Sequence, residues 1–401
     1  MLNKVTYMLK PHDFTFRNMK KIQDFSCSGK TVLLRADLNV PVDNGIVLDD
    51  TRIVRLTTTI KYLLSNDAKI VIMSHYGSPK SYDKEFSLKF VVEYLNKIFA
   101  TNVVFIDGVI GDYVEQTIQS VPAGTILLLE NLRFYAEEEK NDLNFAKQLA
   151  LLADIYVNDA FSCLHRKHAS IDAITRVMPS FIGFNFQEEM KYLSCVVSNS
   201  EKPVAVIVGG SKISTKVHML KNLIKKIDFL IVGGAIANNF LLSQGLKIGK
   251  SLYEELEKDL VTEIVDLAKR YECKIIVPVD YVVAKNYICG DSTIKDNDTL
   301  ESDDMILDVG PQTVNMIAAT INKCRTVLWN GPCGMFEKEP FSKGTFSVAN
   351  LLSKLTKVGK LKSIVGGGDS ICAIKLSGLS NEDFTYISTG GGALLHFLSI
   401  A

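Results

Sequence analysis

Apolar runs of strand length alternate with amphipathic stretches along nearly the whole chain. This alternation is typical of βαβ units and parallel sheets. The chain has 401 residues, too many for one compact core, so two domains are expected. We therefore predict an α/β fold of two Rossmann-like domains, each a parallel sheet flanked by helices. The apolar runs of the first half are TVLLRADLNVP (31–41), IVIMSHYGSP (70–79), ILLLENLRF (126–134) and DIYVNDAF (154–161).

Polar side chains end or follow each of these runs. In an open parallel sheet, ligands bind beyond the carboxyl ends of the strands. One charged residue there can simply mark the arrival of the strand at solvent. Several arginines and histidines on one edge instead predict a basic cleft for a phosphate or carboxylate. The residues are Arg35, Asp37, Asn39, His75, Glu130, Asn131, Arg133, Asn158 and Asp159, followed by CLHRKHAS (163–170).

Strands in the second half end in glycine. Glycine at a strand-to-helix turn lets backbone amides approach a phosphate, and the following helix N-terminus favours negative charge. Tight turns needed only for packing explain one such turn more easily than three, so a nucleotide is the expected ligand. The three runs are PVAVIVGGSKIST (203–215), DFLIVGGAIAN (228–238) and KSIVGGGDSI (362–371), and TVLWNGPCGMFE (326–337) adds another Gly-rich turn after a strand.

The glycine turns do not match two common nucleotide motifs. GGSKIST lacks the spacing of GxxxxGK[ST], and neither GGAIAN nor GGGDSI matches GxGxxG. A P-loop nucleoside triphosphatase and a dinucleotide dehydrogenase are therefore not supported. Lys212 and Lys216 are four residues apart near the start of a predicted helix, so we expect them on one side of it, near the glycine turn.

Composition narrows the class further. Lys+Arg and Asp+Glu both number 45, so no global charge attracts nucleic acid or a membrane. Eight dispersed cysteines without a CxxC pair indicate reduced thiols, and no apolar run reaches 18 residues. Residues 1–18 lack the features of a secretory signal and are expected to be an extension or a disordered tail.

An arginine- and histidine-rich half and a glycine-, lysine- and aspartate-containing half together suggest phosphoryl transfer between a small anion and a nucleotide. At these residues the sequence resembles the phosphoglycerate kinase family, from about Gly29 to Leu398. The motifs that carry the resemblance, in order, are RADLNVP, DDTR (49–52), SHYGSPK, LLLENLRF, EEEKND (137–142), YVNDAF, HRKHAS, GGSKISTK, WNGPCGMFE, FSKGT (341–345), IVGGGDS and STGGG (388–392).

The resemblance implies reversible, Mg²⁺-dependent phosphoryl transfer between ATP and the carboxylate of 3-phosphoglycerate, a glycolytic step, by a cytoplasmic monomer. It implies Arg52 and Lys216 as catalytic residues and Asp369 as the Mg²⁺ ligand. The substrate-binding residues would be Asp37, Asn39, Arg52, His75, Ser78, Arg133 and Arg166. The nucleotide-binding residues would be Gly210, Lys212, Lys216, Gly234, Asn330, Glu337, Gly367, Gly368, Asp369 and Ser370.

The resemblance also implies the domain organisation and the type of mechanism. Residues 19–186, joined by the C-terminal segment 388–401, would bind 3-phosphoglycerate, and residues 187–387 would bind the nucleotide. A helix at 184–197 would join the domains, and the domains would close about this hinge. The attacking carboxylate is already ionised at neutral pH, so alignment of the two anions and charge neutralisation replace a general base.

Two departures from the family pattern keep other functions open. Ser78 stands where the family usually has an arginine, and one lost charge-assisted contact would cost roughly 1.5–3 kcal/mol. The chain also stops at GGALLHFLSIA, without the family's usual C-terminal tail, so weaker coupling between the domains is expected. The alternative is a weakened or inactive relative that binds nucleotide as a regulatory protein. A more remote alternative is an NAD-dependent dehydrogenase.

Overall fold

The computed structural model describes residues 19–43, 45–198, 200–255, 260–288 and 291–400. The chain forms two compact units, with the boundary between Glu189 and Met190. This boundary falls within one helix, Phe184–Val197, so the helix expected at 184–197 is present. The proposed extension at 1–18 lies outside the described residues.

The first unit is an α/β unit. Its elements in chain order are β1 (Thr31–Arg35), β2 (Val42–Asp43), β3 (Ile46–Val47), α1 (Thr51–Ser65), β4 (Lys69–Met73), α2 (Val92–Phe99), β5 (Val103–Ile106), α3 (Asp112–Ser120), β6 (Ile126–Leu129), α4 (Ala136–Glu139), α5 (Leu143–Ala150), β7 (Ile155–Asn158) and β8 (Ser180–Ile182), followed by the boundary helix α6 (Phe184–Val197). Short 3₁₀ turns lie at Ile22–Asp24, Lys84–Phe86, Leu88–Val91, Leu132–Phe134, Phe161–Cys163 and Ala173–Arg176.

Six strands of this unit form a parallel sheet in the order β5-β6-β4-β1-β7-β8. Successive side chains of a strand point to opposite faces, and helices cover both faces of a parallel sheet. In β1, Val32 and Leu34 accordingly pack in one core cluster and Leu33 in another. Because β6, β4, β1 and β7 are neighbours, the polar residues that follow these four strands lie along one edge.

The helices follow from apolar spacing and from caps. Helix α1 buries Ile53, Leu56, Ile60 and Leu63, a spacing that places all four on one face. Helix α5 begins after Asp142, whose carboxylate accepts a hydrogen bond from Phe145 N at 2.7 Å, as an N-cap does. These two helices pack against opposite faces of the sheet and leave the carboxyl edge of the strands to loops.

The second unit is also α/β. Its elements are β9 (Val204–Val208), α7 (Val217–Leu223), β10 (Phe229–Val232), α8 (Gly234–Ser243), α9 (Leu260–Arg270), β11 (Lys274–Ile276), β12 (Asp280–Ala284), β13 (Thr293–Asp296), β14 (Met305–Val309), α10 (Pro311–Ile321), β15 (Thr326–Asn330), α11 (Lys343–Lys357), β16 (Lys362–Gly366), α12 (Gly368–Leu376), β17 (Tyr386–Ser388) and α13 (Gly392–Ile400), with 3₁₀ turns at Ser214–Lys216 and Asn381–Asp383.

Its main sheet is parallel, in the order β11-β10-β9-β15-β16-β17. The glycine-ended strands β10, β9, β15 and β16 are neighbours, so their turns meet at one edge. The prediction of two parallel-sheet α/β units is confirmed. A separate antiparallel sheet, β13-β12-β14, was not predicted. The connections between its strands contain no helix among the described residues, so these strands pair antiparallel instead of crossing over.

The last helix packs within the second unit. Helix α13 contacts α7, and Asn222 Nδ2 donates to Leu398 O at 3.2 Å. The expected association of 388–401 with the first domain is not tested by these contacts and stays a prediction. Within the described ranges, no helix combines the length and apolar character that crossing a membrane requires.

Candidate functional site

The carboxyl edge of the first sheet holds a buried arginine that ends β1. Arg35 is only 1% exposed, and its guanidinium donates to Ser170 Oγ at 2.9 Å and to Ala36 O. Its Nη2 lies 3.2 Å from His75 Nδ1. The sequence indicated Arg35 only as a polar strand end, not as a site residue. Its signal was an arginine inside the otherwise apolar run TVLLRADL.

His75 lies between two guanidinium groups. Its Nδ1 faces Arg35, and its Nε2 is 3.1 Å from Arg166 Nη1. A protonated ring would present an N–H donor to a guanidinium on both sides, whereas a neutral imidazole can accept a hydrogen bond at one of its nitrogens. Burial, followed by the charges of Arg35 and the neighbouring arginines, holds the pKa of His75 well below its ordinary value. His75 is therefore a neutral spacer within a cationic cluster.

The cluster has an excess of positive charge. Among the described residues, neither Arg35 nor Arg166 has a carboxylate within ion-pair distance. Cations that are held together without matching carboxylates form a site for an external anion, and guanidinium groups suit phosphate and carboxylate oxygens. The structure thus brings His75 and Arg166 together as the sequence predicted, and it adds Arg35.

Arg133 belongs to the same edge but has a different set of partners. Its Nη1 donates to Gly77 O and to Ser78 Oγ, both at 2.6 Å. Its buried Nε is 3.4 Å from Glu139 but has no hydrogen-bond partner in the described structure. Gly77 has φ +61°, and a Cβ there would lie 2.3 Å from the Phe86 ring, so this turn requires glycine. Ser78, which follows this glycine, accepts a hydrogen bond from Arg133. The arginine that the family usually has at this position would instead place a second cation beside Arg133.

The loop after β1 is joined to the first turn of α1. Arg52 Nη1 lies 3.1 Å from Asp37 Oδ2 and donates to Asn39 O at 2.6 Å. Asn39 Oδ1 in turn accepts from Gly77 N at 3.0 Å. The hydroxyl of Ser162 donates to Asp37. The structure thus links Asp37, Asn39 and Arg52, and it joins them to the turn that carries Ser78.

In the second unit, a lysine lies against the glycine turns. Lys216 Nζ donates to Gly209 O at 2.6 Å and to Asn330 O at 3.2 Å. Burial lowers the pKa of Lys216 to about 8, and the Asp369 carboxylate partly offsets this effect. A largely buried ammonium that is held by carbonyls at a strand edge is a candidate partner for phosphate oxygens.

The turns themselves are so closely packed that side chains are excluded. A Cβ on Gly209 would lie 1.8 Å from Pro332 O, and one on Gly331 would lie 2.4 Å from Gly209 O. Gly210 and Gly234 have φ +96° and +57°, a region that favours glycine. The glycine runs therefore allow the loops after β9, β10 and β15 to touch each other.

The turn after β16 begins α12. Ser370 Oγ accepts from Gly331 N at 2.7 Å, and Asn330 Nδ2 donates to Gly366 O at 2.9 Å. Gly367 has φ +96°, and a Cβ on Gly368 would meet no atom within 4 Å. These contacts bring Asn330, Ser370 and the glycines 366–368 together at one edge.

Two candidate residues of this unit are less closely associated with the others. Lys212 is exposed and lies in the loop before the 3₁₀ turn, while α7 begins only at Val217. The expectation that Lys212 and Lys216 share one side of a helix is wrong, because the intervening residues are not α-helical. Glu337 is exposed on the loop between β15 and α11, and none of its contacts among the described residues joins it to the glycine turns.

The Asp369 carboxylate is suited to act as a Mg²⁺ ligand. Its carboxylate is exposed in the first turn of α12, beside the turn at Gly367. Mg²⁺ is usually held by one or two carboxylates together with water and substrate phosphates, so a single accessible carboxylate at this position is suitable. A separate acidic group, Glu301, Asp303 and Asp304, is paired with Lys285 and Lys295, and Asp304 lies 3.0 and 2.9 Å from the two lysines.

The fold and these side chains define an α/β protein of two parallel-sheet units that carry cationic side chains at the carboxyl edges of both sheets. The phosphoglycerate kinase family model matches residues 22–400. The chain therefore belongs to the phosphoglycerate kinase family.

Named relatives agree over almost the full length. The chain is 51% identical to the phosphoglycerate kinase of Wolbachia pipientis subsp. Culex pipiens, covering 95% of this chain and 96% of the relative. It is 44% identical to the cytosolic phosphoglycerate kinase of Triticum aestivum, covering 96% of each. The solved phosphoglycerate kinase of Coxiella burnetii superposes with a TM-score of 0.86 at 38% identity, covering 96% of both chains.

The activity follows from the family. The chain is a phosphotransferase with a carboxyl acceptor: it catalyses the glycolytic transfer of a phosphoryl group between ATP and 3-phosphoglycerate. The NAD-dependent dehydrogenase alternative is not supported by these relatives.

Proposed function

We propose that the arginine cluster of the first unit binds 3-phosphoglycerate and that the glycine turns of the second unit bind ATP or ADP. The observation that carries the first assignment is the placement of Arg35 and Arg166 on either side of a neutral His75, with no carboxylate paired to either arginine. A doubly charged phosphate restores the charge balance of such a cluster. The substrate site in this proposal comprises Asp37, Asn39, Arg52, His75, Ser78, Arg133 and Arg166, together with Arg35.

The nucleotide site rests on the contacts of Lys216. This ammonium is held at the point where the loops after β9 and β15 cross, and backbone amides at helix N-termini favour phosphate nearby. Lys212, Glu337 and Asp369 complete the set through their side chains. The site in this proposal comprises Gly210, Lys212, Lys216, Gly234, Asn330, Glu337, Gly367, Gly368, Asp369 and Ser370.

Mg²⁺ belongs to the proposed nucleotide site through Asp369. When bound, the ion supplies positive charge that neutralises phosphate oxygens. The residues of this chain do the rest: the arginine cluster binds and orients the acceptor, and Lys216 stabilises negative charge on the transferring group. The acceptor carboxylate is ionised at neutral pH, so no residue needs to remove a proton from it.

The two proposed sites are on different units, so transfer requires a conformational step that brings the bound substrates together. We assign this step to closure about α6, the helix that contains the unit boundary. We further infer a monomer that acts in the cytoplasm. The name of the wheat relative, a cytosolic enzyme, supports the location, and the family resemblance supports the monomer.

Separate binding measurements test the assignment of 3-phosphoglycerate to the first unit and of the nucleotide to the second. We would titrate 3-phosphoglycerate and Mg-ATP individually into the wild type, Arg166→Gln and Lys216→Gln by calorimetry. Loss of one charge-assisted contact predicts about 10- to 100-fold weaker 3-phosphoglycerate binding by Arg166→Gln with ATP affinity unchanged. Lys216→Gln should show the opposite pattern.

Two exposed basic residues provide matched controls. Arg270→Gln and Lys360→Gln remove one positive charge each at exposed positions outside both sites and should bind both ligands like the wild type. If Arg166→Gln weakened ATP binding as much as 3-phosphoglycerate binding, the assignment of the two substrates to separate units would be wrong.

A further inference from the structure

The turn that carries Lys216 is capped by a carboxylate from a remote part of the chain. Glu254 accepts a hydrogen bond from Ser214 N at 2.9 Å and another from the Ser214 hydroxyl. Ser214 begins the 3₁₀ turn that ends at Lys216, so Glu254 holds the same short segment as the proposed catalytic lysine.

The backbone of Glu254 is attached to α8. Asn239 Nδ2 donates to Glu254 O at 2.7 Å, and Glu254 N donates to Asn239 Oδ1 at 3.3 Å. The preceding asparagine repeats the pattern, with Asn238 Nδ2 donating to Leu252 O at 2.8 Å. Both asparagines are buried. Helix α8 starts at Gly234, so the segment that carries Glu254 is anchored to an element that begins at a glycine turn.

The local sequence explains why a remote cap is needed. Ile213, the residue before the 3₁₀ turn, provides no side-chain cap, and neither this turn nor the first turn of α7 contains an acidic residue. Backbone amides at a helix start need acceptors, and a carboxylate there is favoured by the helix dipole. Hydrogen bonds from the hydroxyl and the backbone amide of Ser214, together with the charge of Lys212, lower the pKa of Glu254, so the cap is ionised at neutral pH.

We propose that Glu254 is a positioning residue that holds the 213–216 segment and thereby keeps the Lys216 ammonium on Gly209 O and Asn330 O. The functional consequence rests on the proposed role of Lys216 in phosphoryl transfer. Glu254 itself does not touch the reacting groups. Without this carboxylate, the amide and hydroxyl of Ser214 lose their acceptor, and the turn that ends at Lys216 is no longer fixed.

The variants are Glu254→Ala, which removes the cap, and Glu254→Gln, which keeps one acceptor oxygen. Glu255→Ala is the matched control, because Glu255 is an exposed neighbour with no hydrogen bond or ion pair in the described part of the chain. We expect kcat to fall about 10-fold in Glu254→Ala, as for loss of a charged hydrogen-bonding contact, and less in Glu254→Gln. The KM for 3-phosphoglycerate should stay within about twofold of the wild type.

A second readout does not depend on turnover. Trinitrobenzenesulfonate modifies neutral amines, and peptide mass spectrometry gives the modification rate of Lys216 alone. Release of the turn should make Lys216 react several-fold faster in Glu254→Ala and at the wild-type rate in Glu255→Ala. If the carboxylate of Glu254 had no influence on the position of Lys216, this rate would be unchanged in Glu254→Ala.

Three results separate the possible explanations. Equal kcat and equal Lys216 labelling in Glu254→Ala and Glu255→Ala would overturn the positioning role. A lower KM for ATP with unchanged kcat would also overturn it and would indicate that the carboxylate competes with phosphate for the turn amides. Faster labelling with unchanged kcat would support the positioning but contradict the proposed catalytic role of Lys216.

Discussion

Ser78 offers the sharpest test of the proposed substrate site. It is exposed and accepts a hydrogen bond from Arg133 Nη1, which is also held by Gly77 O. Replacing Ser78 with arginine removes that acceptor and adds one positive charge beside the cluster. Because Gly77 O remains, Arg133 keeps one of its two acceptors. The added guanidinium is therefore expected to increase anion binding without dismantling the site.

The size of the effect follows from the exposure of Ser78. A hydrogen bond between charged groups contributes roughly 1.5–3 kcal/mol, equivalent to about 10- to 100-fold in affinity. Solvent screening at an exposed position favours the lower limit. We therefore expect the KM for 3-phosphoglycerate of Ser78→Arg to be about 10-fold lower than that of the wild type. The ligand-free variant should melt at a lower temperature, because the new charge repels Arg133 and Arg166.

A coupled steady-state assay at about 0.05 and 0.5 M KCl measures the KM values and their dependence on salt. The decrease in the KM for 3-phosphoglycerate in Ser78→Arg should be smaller at high salt, while the KM for ATP stays within about twofold of the wild type. Lys80→Arg, which keeps the charge at an exposed position two residues away, should match the wild type. An unchanged KM for 3-phosphoglycerate in Ser78→Arg at low salt would refute the placement of the substrate beside this turn.

Three further predictions concern ionisation. With the pKa of Lys216 lowered to about 8, kcat/KM for ATP should decline above pH 8 as the ammonium loses its proton. Lys216→Met should lose about 100-fold or more in kcat and show no such decline. A variant that kept the wild-type pH profile would contradict the assignment. Burial raises the pKa of Asp308 to about 7, so the folded state binds a proton that the unfolded state releases near pH 4; the stability of the wild type relative to Asp308→Asn should fall by up to about 3 kcal/mol between pH 4.5 and 7.5 in urea unfolding, and a constant difference would count against the shift. The pKa of His75 is lowered in the folded state, so the unfolded state binds the proton first as the pH falls through 6.5. The free energy of unfolding of the wild type, relative to that of His75→Gln, should therefore fall by about 1.4 kcal/mol from pH 7.5 to pH 5.5. A constant difference would indicate a histidine that titrates normally.

The parallel sheets could be predicted because the signals are local. An apolar run such as IVIM followed by a histidine and a glycine turn marks a buried strand and its carboxyl end without reference to the rest of the chain. Strand ends of parallel neighbours then meet at one edge, so His75 and Arg166 were expected together although 91 positions separate them.

Contacts between distant segments were the part that sequence patterns could not supply. The Glu254 cap joins residues 40 positions apart and leaves no motif at either end. Lys212 was expected on a helix because its spacing to Lys216 suits one, but helix spacing applies only where the backbone is helical. The antiparallel sheet was missed because its short strands resemble those of βαβ units until their connections are known.

The central claim is that this chain transfers a phosphoryl group from ATP to the carboxylate of 3-phosphoglycerate. The most direct measurement is ³¹P NMR of the purified protein with ATP, Mg²⁺, 3-phosphoglycerate and hydroxylamine, which converts the acyl phosphate to a hydroxamate and releases inorganic phosphate. The account predicts ADP and inorganic phosphate signals that depend on ATP, 3-phosphoglycerate and hydroxylamine together and are greatly reduced in Lys216→Met. Binding of ATP without formation of ADP and inorganic phosphate in the wild type would contradict the account and would indicate a nucleotide-binding relative without turnover.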